Sequence, residues 1–226
     1  MTATAGPALT VVVTRLGIDG GMDRVVEAMA AALADRGEDD VQLVCVTTRG
    51  RLGKLLSPLV FAGGLARCLA LGLSGRADVA HLNLATHGSV LRKALMERVL
   101  SLAGLPVVVH LHGANFDDYY AGCGPLMQAA IRRLFRHAAC VVVLGSHWRD
   151  FVTRIAGPRV ATAVVYNAVP RVATATKRED GDVHLVVLGE VGERKGTDVL
   201  LDALSLLHGR GVGGWRCTIA GNGAVE

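Results

Sequence analysis

Three stretches of this sequence carry residue types at spacings suited to holding an anion or a sugar. The first, Gly17-Ile-Asp-Gly-Gly-Met22, puts Gly20 and Gly21 directly before an amphipathic run. Without a Cβ at these positions, backbone amides at a helix N-terminus can approach an anion closely. A tight strand-to-helix turn with no ligand would use the same residues. The second, Val109-His-Leu-His-Gly-Ala-Asn115, places His110 and His112 two apart, hence on one strand face. That spacing also suits metal binding, but no third ligand follows convincingly, and no metal site is expected. A histidine at a strand end, beside a glycine turn, is suited to donating to a hydroxyl or phosphate; satisfaction by nearby backbone is the plain alternative. His81 and Asn83 end the preceding strand and could face the same cleft. The third stretch, Gly189-Glu-Val-Gly-Glu-Arg-Lys-Gly196, sets Lys195 just before a helix, where its charge adds to the helix dipole. The mixed signs of Glu190, Glu193, Arg194 and Lys195 describe a solvated loop equally well.

Other chemistries find less support. No GxGxxG or GxxxxGK[ST] pattern is present, and Gly145-Ser146 lacks the GxSxG elbow of a serine hydrolase. Asp180-Gly-Asp182 has the form of a metal-binding DxD but reads as a turn within a polar segment.

The elements that must position these loops alternate between two periods. Residues 9–14 do not alternate, as expected for a strand covered on both faces, with further strands at 41–47, 78–84, 106–112, 140–144 and 159–166. Between them lie helical patterns: one with Met22, Val25, Val26, Met29 and Leu33 on one face and Gly37 as C-cap, one at 55–73 that its glycines interrupt, and others at 89–103, 124–137 and 147–155. Strands alternating with helices predict a doubly wound α/β domain over 1–166. Residues 167–181 are polar and read as a linker. A buried strand at 183–188, a helix at 195–208 with Val199, Leu200, Ala203, Leu204 and Leu207 facing inward, and a strand at 215–220 then make one βαβ unit of a second domain, 182–226, which looks incomplete.

Composition narrows the class. Of 226 residues, 51% are hydrophobic and 19% charged, which excludes a disordered chain. A net charge of +4 with 4% aromatics excludes a dedicated nucleic-acid binder. The richest apolar stretch, 55–66, contains Pro58, Gly63 and Gly64 and falls short of the ~20 residues that a spanning helix needs. Residues 52–73, with Arg51, Lys54, Arg67 and Arg76, could instead lie on an anionic bilayer or pack as an ordinary helix on the sheet. No secretory leader is visible, and five scattered cysteines fit a reducing compartment, so a cytoplasmic location is expected.

Taken in chain order, seven segments resemble the family 4 glycosyltransferases of GT-B fold. They are Asp19-Gly-Gly-Met-Asp-Arg24, Asp78-Val-Ala-His-Leu-Asn83, Val107-Val-Val-His-Leu-His-Gly113, Val141-Val-Val-Leu-Gly-Ser146, Val164-Val-Tyr-Asn-Ala-Val169, Val186-Val-Leu-Gly-Glu-Val-Gly-Glu-Arg-Lys-Gly196 and Ile219-Ala-Gly-Asn-Gly223. The resemblance implies two facing Rossmann-like domains that transfer a hexosyl group, with retention, from a nucleotide diphosphate sugar to a glycan or lipid-linked acceptor. It implies no separate cofactor and allows peripheral contact with the inner face of a membrane. His112 matches the histidine that touches the transferred sugar, and Lys195 the lysine that neutralises the departing diphosphate. Gly20, Gly21, Glu190, Arg194, Gly221 and Gly223 fall at the remaining donor-binding positions.

Two departures from the family pattern stand out. Glu190 occupies the place of an arginine, where a carboxylate would repel a diphosphate, although Arg194 could compensate. The family's ExxxxxxxE segment would lie beyond Glu226, so the expectation is a fragment with little turnover of its own. A non-catalytic module that binds a sugar or lipid acceptor is the alternative. A nicotinamide-dependent enzyme is disfavoured by the missing dinucleotide fingerprint.

Overall fold

Continuous valine runs form the centre of the chain's main sheet, as their lack of alternation requires. In β1 (Leu9–Arg15), Val12, Val13 and Thr14 are all fully buried, so both strand faces are covered. The computed structural model describes residues 9–18, 20–36, 40–50, 53–167 and 182–223. The chain divides into two units, Met1–Pro170 and Arg171–Glu226.

The first unit joins β1 to β2 (Val41–Thr47), β3 (Val79–Leu84), β4 (Val107–Leu111), β5 (Cys140–Val143) and β6 (Thr162–Val164). All pairs are parallel and the order is β2-β1-β3-β4-β5-β6. Each crossover carries a helix: α1 (Gly21–Arg36), α2 (Gly53–Leu73), α3 (Gly88–Leu102), α4 (Phe116–Gly122), α5 (Pro125–His137) and α6 (Ser146–Ala156). The order reverses between β1 and β3, which opens the crevice where doubly wound sheets bind ligands. The glycine turn ending at Gly21 and the histidines of β4 therefore sit at the carboxyl edge, the first beside that reversal.

Helix α4 was not foreseen from the sequence. It is short, and Phe116 is its one fully buried residue, seated 6.0 Å from the Phe135 ring and 6.2 Å from Phe151. Tyr120 and Trp148 approach Phe151 edge-on, so an aromatic cluster ties α4, α5 and α6 together. The sixth strand is shorter than expected. The Gly37 cap lies outside the described residues, as does most of the linker, from residue 168 through 181.

Helix α2 corrects the estimate of its length. It runs unbroken through Pro58, Gly63 and Gly64, and Leu55–Leu73 forms a 19-residue helical segment with a mean hydropathy of 1.6. By length and composition alone that is enough to cross a membrane, yet one stripe of the helix belongs to this fold. Gly64 and Cys68 are buried against the sheet, and Phe61, Leu65 and Leu69 pack on the core. Gly64 permits the close approach, since a Cβ there would stand 2.6 Å from the Thr47 carbonyl oxygen. The opposite stripe is exposed and still apolar, with Leu55 93%, Leu59 69% and Leu73 68% accessible. Only 11% of the segment is buried, so α2 is neither an ordinary core helix nor an amphipathic one.

Helix α3 buries a charge-bearing group beneath the sheet. Lys93 is 2% exposed, with Nζ donating to Thr14 Oγ1 at 2.8 Å and Thr48 Oγ1 at 3.3 Å. Among the described residues no carboxylate lies within ion-pair distance of it. Burial, reinforced by the neighbouring Arg92 charge, lowers its pKa to about 7.

The second unit pairs β7 (Val183–Leu188) with β8 (Trp215–Ala220), again in parallel, around α7 (Thr197–Gly209). A 3-10 turn, Glu193–Lys195, precedes α7, so Lys195 stands before the helix rather than in it. The strand and helix face expected to be buried here are instead open: Val183, Val186, Leu188, Val199 and Leu206 are exposed, because two strands and one helix cover little of each other.

Two measurements probe these packings. Gly64→Ala should cost about 1–3 kcal/mol in denaturant unfolding, since the added methyl meets rigid backbone. Gly63→Ala, with nothing within 4 Å of the new Cβ, should gain about 0.5–1 kcal/mol. Equal effects would show that α2 does not approach the sheet through Gly64. For Lys93, the unfolded chain holds a proton up to the ordinary value of 10.5, whereas the folded chain releases it near 7. Folding stability should therefore rise with pH above 7, by at most about 1.4 kcal/mol per pH unit. The Cys68 thiol, raised to about 11 by burial, acts in the opposite sense only above about 9. Between pH 7 and 9 the Lys93→Met variant should lose the rise; a slope as steep as wild type would place the proton elsewhere.

Candidate functional site

The turn after β1 is built around a carboxylate. Asp23, 2% exposed in the first turn of α1, accepts from the amides of Leu16, Gly17 and Ile18 at 2.7, 2.8 and 2.9 Å. Those three donors are spent inside the loop, so an incoming anion must look to the amides that open α1, at Gly20 and Gly21. An added Cβ at Gly21 would meet nothing within 4 Å, and at Gly20 only the Ile18 side chain. Neither glycine has a positive φ. Backbone conformation and internal packing therefore leave both positions open to a side chain, and the space above them is available to a ligand. Asp19 lies outside the described residues.

At the ends of β3 and β4 the expected histidines do meet. His81 Nε2 lies 3.2 Å from His110 Nδ1, and the His110 and His112 ring centroids are 3.9 Å apart. Asn83 Nδ2 donates to the Thr14 carbonyl at 2.7 Å, which turns Asn83 Oδ1 toward His112 Nε2 at 2.9 Å. The hydrogen-bond network thus assigns the proton of His112 to Nε2 and leaves Nδ1 as an acceptor. The sequence suggested a histidine that donates to a hydroxyl. In this structure the Nε2 proton is engaged by Asn83 Oδ1, and the remaining ring nitrogen is an acceptor.

Burial keeps the three rings neutral. It lowers His81 to about 4, with Asn83 opposing, lowers His112 to about 4 with help from His81, and lowers His110 to about 3 with help from His112 and then His81. His110 is 4% exposed, and among the described residues its Nε2 has no partner. Among the described residues no group of three or more His, Cys, Asp or Glu has a geometry that could hold a metal ion.

In the second unit the 189–196 loop is held by its amides donating to the 220–222 segment and to Thr197. Gly189 N donates to the Ala220 carbonyl, Val191 N to Asn222, and Gly192 N to Thr197 Oγ1 at 3.0 Å. Gly196 adopts a left-handed conformation between the 3-10 turn and α7. A Cβ at Gly221 would overlap the Gly189 carbonyl, and one at Gly223 would stand 2.5 Å from the Val191 carbonyl oxygen. Close contact between the two loops is thus sufficient reason for both glycines. Lys195 and Glu190 are exposed on this loop, and the Arg194 side chain lies outside the described residues. Sequence reasoning brought Lys195 to the entrance of α7 correctly but gave no role to Asp23, Thr14 or Lys93, whose functions depend on contacts between distant strands.

No curated protein matches the chain. Among solved structures, a sucrose-phosphate synthase from Thermosynechococcus elongatus is similar in fold, with a TM-score of 0.55 at 12% identity over 95% of this chain and 70% of that one. A family model described as a glycosyl transferase 4-like domain matches residues 39–168, which takes in β2 through β6 and both histidine positions of β4. With more than half of its length matched, the chain belongs to the glycosyl transferase 4-like family.

Proposed function

We propose that the protein takes part in transfer of a hexosyl group, with retention, from a nucleotide diphosphate sugar to a glycan or lipid-linked acceptor. The observation that carries this is the buried histidine centre at the crevice of a glycosyltransferase-family domain. A neutral His112 with Nδ1 open as an acceptor suits a sugar hydroxyl. A leaving diphosphate gathers negative charge, and the opening amides of α1 at Gly20 and Gly21 are oriented to stabilise such charge without reorganisation. Lys195, ahead of α7 on the 189–196 loop, supplies a cation of the same kind. Glu190 on that loop opposes a diphosphate, and we expect residues 1–226 alone to show weak turnover or none. The nucleotide-sugar is substrate, and no further cofactor is invoked.

Membrane contact belongs to the same reading. The exposed leucine and alanine stripe of α2, with Arg67 and Arg76 exposed beside it, suits the surface of an anionic bilayer. A lipid-linked acceptor would be met at the inner face of the membrane.

Calorimetric titration with UDP, GDP and ADP tests the donor side. One nucleotide should bind, and Lys195→Ala should weaken it by about tenfold, the loss of one charge-assisted contact. Binding unchanged in the variant would remove Lys195 from the donor site. For the membrane, the protein should float with vesicles containing anionic phospholipid, and Arg67→Glu should reduce the floated fraction. Equal flotation of both proteins would count against α2 as the contact.

A further inference from the structure

Beside the histidine centre, a cavity of about 660 Å³ opens among the β1–α1 turn, the end of β2, α2 and the start of α3. Its apolar wall comes from Leu16, Met22, Pro58 and Phe61, and its charged wall from Arg49 and Arg92. Among the described residues no carboxylate lines it. Among the described residues neither arginine has an ion-pair or hydrogen-bond partner, and Arg92 Nε is buried without one. We propose that this cavity binds the phosphate group of the acceptor, with the Arg49 and Arg92 guanidiniums as its counter-charges.

Several observations converge on this anion. Arg92 and the exposed Arg49 line one open cavity, and among the described residues nothing neutralises their like charges. Arg92 is indeed displaced below the usual guanidinium range, by burial first and by Arg49 second. A phosphate monoester carries close to two negative charges at neutral pH and offers three acceptor oxygens, which matches two forked donors better than a single carboxylate does. Helix α3 begins at Gly88 in the cavity wall, so its positive end points the same way. His87, at the cap of that helix, is held at φ 56°, a conformation unfavourable for a side chain, while its ring packs 4.9 Å from Tyr119. The volume lies in the range of small-molecule sites.

The position links the cavity to the acceptor rather than the donor nucleotide. Thr86 lies in its wall, and its methyl would stand 3.5 Å from a Cβ on Gly113, the residue following His112. A phosphate held by the arginines therefore brings the rest of its molecule to the carboxyl edge where a transferred sugar would be received. The inference rests on the glycosyltransferase reading for the word acceptor, but phosphate binding itself does not. Two sources of that phosphate are chemically equivalent here: a soluble sugar phosphate and a lipid headgroup. Ser57, Pro58 and Phe61 of α2 line the cavity one turn from the exposed Leu55 and Leu59, which would let an acyl chain leave along that helix.

The test uses the whole chain and an Arg49→Gln/Arg92→Gln double variant, with circular dichroism to show that both fold. An Arg98→Gln/Arg133→Gln variant removes the same charge from exposed positions outside the cavity. Glucose 6-phosphate and inorganic phosphate are titrated by calorimetry, and vesicles of phosphatidylcholine with and without phosphatidic acid are used for flotation. The expected result is binding in one arm that the cavity variant weakens by about tenfold or more and the control leaves unchanged. Loss in the titration arm identifies a soluble phosphate, and loss of the phosphatidic acid-dependent flotation identifies a lipid. Absence of binding in both arms, or equal weakening by the control, overturns the proposal. The nucleotide titration of Lys195 reports the other unit, so either reading can fail alone.

Discussion

A single hydroxyl, Thr14 Oγ1, holds the carboxyl edge of the first unit together. It donates to the His81 carbonyl at 3.4 Å and accepts from the Asn83 amide at 3.2 Å and from Lys93 Nζ at 2.8 Å. One donor and two acceptor sites are all that a hydroxyl has, so Thr14 is fully satisfied while fully buried. Through it β1, β3 and α3 share one polar node at the point where the strand order reverses. The Thr14 carbonyl extends the node by fixing the Asn83 amide, and Asn83 fixes His112. The orientation of His112 thus depends on a residue two strands away, and on a lysine whose ammonium would be costly without those hydroxyls.

The same apolar surroundings divide the edge into two electrostatic zones. Around β3 and β4, burial suppresses protonation of all three histidines, leaving a centre of neutral donors and acceptors. Toward β2 and α2 the chain keeps two arginines, which burial cannot discharge. A neutral zone beside a cationic one suits a ligand that is polar at one end and anionic at the other. Neither zone could serve both ends, because a cation among the histidines would compete with the hydrogen bonds that orient them.

Much of this was legible in the chain itself, for reasons that differ from element to element. The non-alternating valines of β1, β4 and β7 declare strands covered or paired on a parallel sheet, and the glycine turns mark where those strands hand over to helices. His110 and His112 share a face because the strand period is two, which no tertiary contact can alter. What stayed hidden depends on closeness across the fold. Helix α4 is too short to show a period, and it exists because Phe116 finds Phe135 and Phe151. The arginines at 49 and 92 stand 43 residues apart in sequence, and nothing in either neighbourhood announces that they face one cavity. Pro58 and two glycines suggested an interrupted helix at α2. The proline loses one backbone bond near the helix start, and Gly64 serves packing rather than bending.

That last glycine connects the scaffold to the site. With no Cβ at 64, α2 settles against the end of β2, and its first turns are carried over the carboxyl edge, where Ser57, Pro58 and Phe61 wall the cavity. A bulkier residue would hold the helix off the Thr47 carbonyl and widen the space that the arginines must close around an anion. The helix is apolar on both sides for two separate reasons: one stripe completes the core, and the other carries exposed leucines next to the cavity mouth. A soluble surface alone would favour polar residues on the second stripe. Their absence is most simply understood if the substrate that reaches Arg49 and Arg92 arrives along that same apolar face.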